Sequence, residues 1–233
     1  MVYITGDIHG QTERITYFAN RFGMTEEDTI VILGDVGANY YLGKRDKKTK
    51  EALSSVKPTI LCIHGNHEAR PSTVAGYEMK VWNDGLVYYQ PEYPNLLFAV
   101  DGALYNIDGK RCIALGGAYS VDKYYRLESG YAWFEDEQPS EAIKNYVNNQ
   151  LLSVSNKVDV VFSHTCPFKY EPREAFLSCI DQSTVDDSTE KWLDTIEDKL
   201  AYKAWFCGHW HIDKKIDKMY FLFEGWNILE DVR

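Results

Sequence analysis

All six histidines lie in short polar clusters that directly follow apolar runs, with aspartate or asparagine beside most of them. Val2 to Thr5 runs into Gly6-Asp7-Ile8-His9-Gly10, Ile30 to Leu33 into Gly34-Asp35-Val36-Gly37, and Ile60 to Ile63 into His64-Gly65-Asn66-His67-Glu68. Val160 to Phe162 runs into Ser163-His164-Thr165, and Trp205 to Cys207 into Gly208-His209-Trp210-His211. Imidazole and carboxylate without thiolate suit a divalent first-row ion such as Mn, Fe, Co, Ni or Zn better than Ca. Glycine permits a sharp turn and close backbone approach just beyond a strand. Residues two apart on extended backbone, as in Asp7/His9 and His209/His211, point to the same side. One such cluster alone is ordinary turn or cap chemistry. Five of them are not, because gathering so many ionisable groups without a metal leaves their desolvation uncompensated.

Short elements must carry these clusters. Runs rich in β-branched and aromatic residues predict strands over Val2–Thr5, Thr29–Leu33, Thr59–Ile63, Arg111–Leu115, Val158–Phe162, Ala204–Cys207 and Tyr220–Phe223. Helical periodicity marks Thr12–Phe22, Lys47–Val56, Ser140–Leu152 and Thr189–Leu200. Alternating strand and helix argues for an α/β layered fold whose site gathers at strand ends. Residues 76–139, rich in Tyr, Gly and Pro, break the alternation and read as extended segments and hairpins. The basic run Lys44 to Lys50 reads as a solvated helix start.

The net charge of -10 disfavours a broad grip on nucleic-acid backbone or anionic lipid, so an anionic substrate needs a local positive source. The start, MVYITGDIHG, has no signal-peptide pattern, and no apolar run approaches a membrane span. The five cysteines are scattered and form no CxxC pair, which points to a reducing, cytoplasmic setting with cysteine as apolar filler.

In this order, GDIHG, GDVG, GNHE, SHT and GHWH resemble the motifs of the calcineurin-like metallophosphoesterase superfamily, from about Gly6 to His211. The resemblance implies an α/β fold, a two-sheet β-sandwich flanked by helices (αββα), as a single domain over residues 1–233, with two divalent metal ions at the strand ends. By motif position, Asp7, His9 and His211 would hold one ion and Asn66, His164 and His209 the other, with Asp35 bridging. Mn comes first among the expected metals, ahead of Fe, Zn, Ni or Co. His67 would stand beside the substrate as the acid, with Glu68 either orienting it or lying at the surface. The implied reaction is attack of a metal-bridging hydroxide on a phosphomonoester or phosphodiester. Two divalent ions would also make the site locally positive on an acidic chain, and a neutral Asn66 preserves their Lewis acidity.

Protein Ser/Thr phosphatases carry GDxxDRG after the second strand, whereas Gly34-Asp35-Val36-Gly37-Ala38-Asn39-Tyr40 lacks the second Asp and the Arg. The double glycine Gly116-Gly117 opens a polar and aromatic stretch that is expected to form a loop beside the metals. There Arg126 is a candidate for a phosphate oxygen, and Tyr119, Tyr124 and Tyr125 for stacking on an aromatic leaving group. Arg70 and Arg173 are further phosphate candidates. The expected substrate is a small soluble phosphate ester, nucleotide-like among the options, with no extended nucleic-acid binding. The alternatives are a nuclease or an RNA/DNA-end phosphatase, and a non-catalytic scaffold of the same fold.

Overall fold

Apolar runs with no polar alternation fit strands covered on both faces. The computed structural model, which describes residues 1–232, places them at the centres of two sheets. In chain order the elements are β1 (Val2–Thr5), α1 (Thr12–Arg21), β2 (Thr29–Ile32), α2 (Lys44–Ser54), β3 (Thr59–Cys62), β4 (Glu78–Trp82), β5 (Gly85–Tyr89), β6 (Leu96–Ala99), β7 (Leu104–Ile107), β8 (Lys110–Leu115), α3 (Lys123–Ser129), α4 (Glu141–Ser153), β9 (Val160–Ser163), α5 (Ser188–Glu197), β10 (Ala204–Cys207), β11 (Lys214–Ile216), β12 (Met219–Phe221) and β13 (Trp226–Ile228).

One sheet has the order β13-β1-β2-β3-β6-β5-β4 and the other β11-β12-β10-β9-β8-β7. The strands β1, β2, β3 and β6 run parallel, as do β8, β9, β10 and β12, while the outer strands are antiparallel. The period-two alternation of side chains assigns each face. Val31 and Leu33 of the first sheet meet Phe162 and Phe206 of the second in the central core. On the far side, Ile30 and Ile32 pack under Ile15 of α1 and Leu53 of α2. In the second sheet, Val161 and Trp205 pack under Val147 of α4 and Leu193 of α5. The result is the helix–sheet–sheet–helix sandwich that the motifs imply.

Parallel neighbours have their carboxyl ends on one edge, so the turns after β1, β2, β3, β9 and β10 face one another there. The stretch 76–139 contains the antiparallel strands expected of it, but residues 123–129, read as part of a loop, form α3. Among the described residues, no helix is long and apolar enough to cross a membrane.

Candidate metal centre and substrate cavity

The seven candidate ligands meet at that edge. His9 Nε2 and His211 Nε2 stand 3.0 Å apart, and Asp7 Oδ2 lies 3.3 Å from His211 and 3.9 Å from His9. Opposite them, Asn66 Oδ1 is 2.7 Å from His164 Nε2 and 3.1 Å from His209 Nδ1. Asp35 turns one oxygen to each set: Oδ2 is 3.9 Å from His9 and Oδ1 is 3.7 Å from His164. Asp7, His9 and His211 could together hold a metal ion, as could Asp7, Asp35 and His164. A third such group joins His67 to His9 and Asp35, so geometry alone does not keep His67 apart from the ligands.

The donors suit a cation. His164 Nδ1 lies 2.7 Å from the Leu33 carbonyl, which can only accept, so the proton sits on Nδ1 and a neutral ring leaves Nε2 as an acceptor. The oxygen of Asn66 is also an acceptor, because its Nδ2 donates to Ser120 Oγ at 2.8 Å. Two lone pairs facing each other at 2.7 Å need a shared cation or an added proton. The Asp7 and Asp35 carboxylates are buried, and neither has a lysine or arginine in ion-pairing reach among the described residues. Burial alone would raise their pKa. At Asp7 the hydrogen bond from His211 and the charge of His164 reverse that, and at Asp35 the charges of His164, His67 and His9 do. Both carboxylates are therefore held in their ionised form. Burial and the adjacent His164 push His209 down to about 3, favouring the neutral ring a metal requires.

Glycine builds the centre by leaving space for a ligand from another strand. A Cβ on Gly208 would stand 2.1 Å from Asp7 Oδ1, one on Gly34 2.2 Å from His164 Nδ1, and one on Gly65 2.0 Å from Asp35 Oδ1. The extended-backbone reading of Asp7/His9 and His209/His211 needs correction: His9, Asp35, His209 and His211 all have left-handed φ, between 44° and 65°. Each turn aims its ring inward by that conformation, which costs a non-glycine residue roughly 1–2 kcal/mol. Arg14, which the sequence reading did not single out, steadies the first turn by donating to the carbonyls of Gly6, Asp7 and Phe223.

His67 faces the same opening, with Asp122 Oδ1 3.7 Å from its Nε2. Burial lowers its pKa, while the charges of Asp35 and Asp122 act against that. Glu68 is neither the orienting acid nor a surface residue. It is buried, accepts from the Gly65 amide at 3.2 Å, and is pushed up to about 8 by burial and by Asp35.

Arg126, expected on a phosphate, is instead a buried strut. Its NH1 donates to Ser120 Oγ at 2.9 Å and its Nε to the Ala132 carbonyl at 2.8 Å. Ser120 donates in turn to Glu137 at 2.5 Å, so one hydroxyl ties Arg126 and Glu137 to the amide of Asn66. Arg70 is likewise engaged, with Asp101 and the Asp136 carbonyl, and Tyr124 points to solvent at 63% exposure. Only Tyr119 and Arg173 of the substrate candidates line the cavity that opens from the centre.

That cavity holds about 670 Å³, enough for a small ester and its leaving group. It runs from His67 and His209 past Trp210 to a wall formed largely by residues 168–190. Three short 3₁₀ turns, at Phe168–Tyr170, Arg173–Ala175 and Gln182–Thr184, punctuate this wall. They carry no hydrophobic period from which the sequence could have announced them.

The family model described as calcineurin-like phosphoesterase matches residues 1–213. No curated protein matches the chain. Among solved structures, the chain is similar to TT1561 of Thermus thermophilus, with 10% identity and a TM-score of 0.51, covering 95% of this chain and 87% of that one. It is also similar to phosphopantetheinyl hydrolase (PptH) from Mycobacterium tuberculosis, with 13% identity, a TM-score of 0.45 and the same coverages. At such identities the first likeness speaks for the fold alone.

Proposed function

The chain belongs to the calcineurin-like phosphoesterase family, and from that premise we propose that it hydrolyses a small phosphomonoester or phosphodiester with two divalent ions, Mn foremost. The observation that carries this reading is the meeting of seven donors in two sets around Asp35. Asp7, His9, His211 and Asp35 would hold one ion, and Asn66, His164, His209 and Asp35 the other. When bound, such ions act as Lewis acids that acidify water and offset charge on phosphate oxygens.

The chain's own residues supply the rest. Asp7 and Asp35 hold their charge under burial, and the Leu33 carbonyl fixes the His164 tautomer. As the bond from water oxygen to phosphorus forms and the ester P–O bond breaks, His67 donates a proton to the departing oxygen. Asp122 beside Nε2 favours the protonated ring that this requires. Tyr119 and Trp210 flank the opening and limit water around the leaving group.

Chromogenic aryl mono- and diesters, assayed with Mn and with chelator, test the proposal. Turnover that requires the ion and disappears in Asp35→Asn is expected. Absence of turnover on every ester with any divalent ion, in protein that binds two ions, would overturn it.

A further inference from the structure

The wall of the cavity away from the metal centre has a charge that the hydrolysis of a phosphate does not explain. Glu171 and Glu190 both line it, and Glu190 is only 4% exposed. Among the described residues, neither has a lysine, arginine or histidine within 4.0 Å of its carboxylate; Lys191, next to Glu190 on α5, pairs with Asp187 instead at 2.6 Å. A glutamate in the first turn of a helix is at home exposed to water, where the helix dipole favours it. Glu190 has that position but faces the cavity. Among the described residues Arg173 is the only lysine or arginine of the lining, against Glu171, Asp186, Asp187 and Glu190 on the same wall.

The same wall is apolar and aromatic. Phe176 and Trp210 stack with centroids 5.7 Å apart, and Leu177 and Ile180 continue the surface. Trp210 also follows His209 directly, with ring centroids 5.2 Å apart, so the aromatic pair and Glu190 line one cavity with the centre.

Three kinds of leaving group can be compared. A polyanion, such as an alcohol carrying a second phosphate, meets two uncompensated carboxylates. A pure hydrocarbon covers Glu190 and removes its remaining water without giving it a partner, at the cost of a buried unpaired charge. A hydrocarbon stem that ends in an amine satisfies both surfaces: the stem packs on Phe176 and Leu177, while the ammonium meets the carboxylates and the aromatic faces. On the phosphoesterase reading of the centre, we propose that this cavity selects the phosphate ester of an amino alcohol, with the ammonium bound at Glu190 and Glu171. Burial pushes Glu190 up to about 7, with Glu171 and Asp187 adding to the rise, and burial and Asp187 bring Glu171 to about 7. Without a ligand, then, the wall resists its own negative charge, and a cation relieves it.

The test compares ω-aminoalkyl phosphates with n-alkyl phosphates of matched length on the Mn-loaded full chain. Calorimetric binding of the corresponding phosphonates, which cannot be hydrolysed, runs in parallel. The wild type should favour the amino compounds by about tenfold in both kcat/KM and affinity, equivalent to about 1.4 kcal/mol. Glu190→Gln keeps shape and helix position, and should abolish the preference by lowering the amino values and raising the n-alkyl ones, with metal content unchanged. Glu171→Gln should reduce it. Equal binding of the two phosphonates by the wild type, or a preference that survives in Glu190→Gln, would overturn the assignment. Intact binding preference without hydrolysis of either ester would keep the cavity assignment and overturn the phosphoesterase reading instead.

Discussion

Gly208→Ala isolates the steric logic of the centre, because Gly208 does not have a left-handed φ and alanine can adopt its backbone. The added Cβ would stand 2.1 Å from Asp7 Oδ1 and 3.0 Å from the Leu33 carbonyl oxygen. The carboxylate must withdraw by roughly 1 Å, an overpacking that costs about 1–3 kcal/mol. Withdrawal also breaks the bonds that Asp7 accepts from the His209 amide at 2.9 and 3.2 Å, at about 1.5–3 kcal/mol for a charged acceptor. A total near 3–5 kcal/mol should lower Tm in chelator by about 10 °C for a chain of this size. Because Asp7 is withdrawn from His9 and His211, elemental analysis after Mn loading should give one ion where the wild type should give two. Gly23→Ala is the control: its φ is +60° and nothing lies within 4 Å of the new methyl, so it should cost about 1–2 kcal/mol in strain and leave metal content unchanged. If Gly208→Ala binds as much Mn as the wild type and melts with the Gly23→Ala protein, Asp7 is not clamped as described.

Other substitutions separate the roles around the centre. His67→Gln should retain both ions and lose roughly 10²–10⁴-fold in rate on an alkyl ester, and less on a nitrophenyl ester whose leaving group needs no proton; equal losses on the two would mean that His67 only positions phosphate. Asp122→Asn should slow the alkyl ester and add little in the His67→Gln background, because the pair acts as a unit; full additivity of the two losses would remove Asp122 from that role. Ser120→Ala should weaken Mn affinity by roughly 10–100-fold, the usual effect of losing a group that orients a ligand, and unchanged titration curves would mean that Asn66 is held without it. Arg126→Ala should destabilise the fold by about 1–3 kcal/mol, by stripping a buried donor from Ser120 and from the Ala132 carbonyl; normal Tm with a raised KM would return Arg126 to the phosphate. Mn at a hundred times its Kd should raise stability by about 2.7 kcal/mol per site, and a Tm indifferent to Mn and chelator would refute the claim that the centre is built around cations.

How much of this could be read from the chain follows from burial. The strands β1, β2, β3, β9 and β10 are covered on both faces, so their apolar runs are unbroken and end visibly at glycine, serine or histidine. The helices α1 and α5 show a clear apolar stripe because one face meets a sheet. The strand β4 lies at a sheet edge and has no fully buried residue, and α3 has two turns with an apolar surface facing out, so neither carries a period. Ligand types were legible, since few other roles bring histidine and aspartate to five strand ends. Their aim was not, because left-handed φ at His9 or His211 depends on the tertiary setting of each turn. Arg126 was misplaced for a related reason: its charge suggested solvent or phosphate, while its partners are a serine and a backbone carbonyl outside the ligand-bearing motifs.

The loop after β8 and the turn after β3 each contribute two roles to the centre. Asn66 and His67 are adjacent in sequence, one proposed as a metal donor and one proposed to stand beside the leaving group. Ser120 and Asp122, two apart on the other loop, match them: Ser120 Oγ holds the Asn66 amide at 2.8 Å and Asp122 lies 3.7 Å from His67. The Gly117 amide donates to the His64 carbonyl at 2.8 Å, which fixes the register between the two segments just ahead of both pairs. Arg126 and Glu137 then close the far side of Ser120. A shift of this loop therefore acts on Asn66 and His67 together, so on the proposed roles its effect on turnover should exceed what either contact alone suggests. The stretch of sequence with the weakest pattern thus sets the geometry of a cluster whose residues are the easiest to recognise.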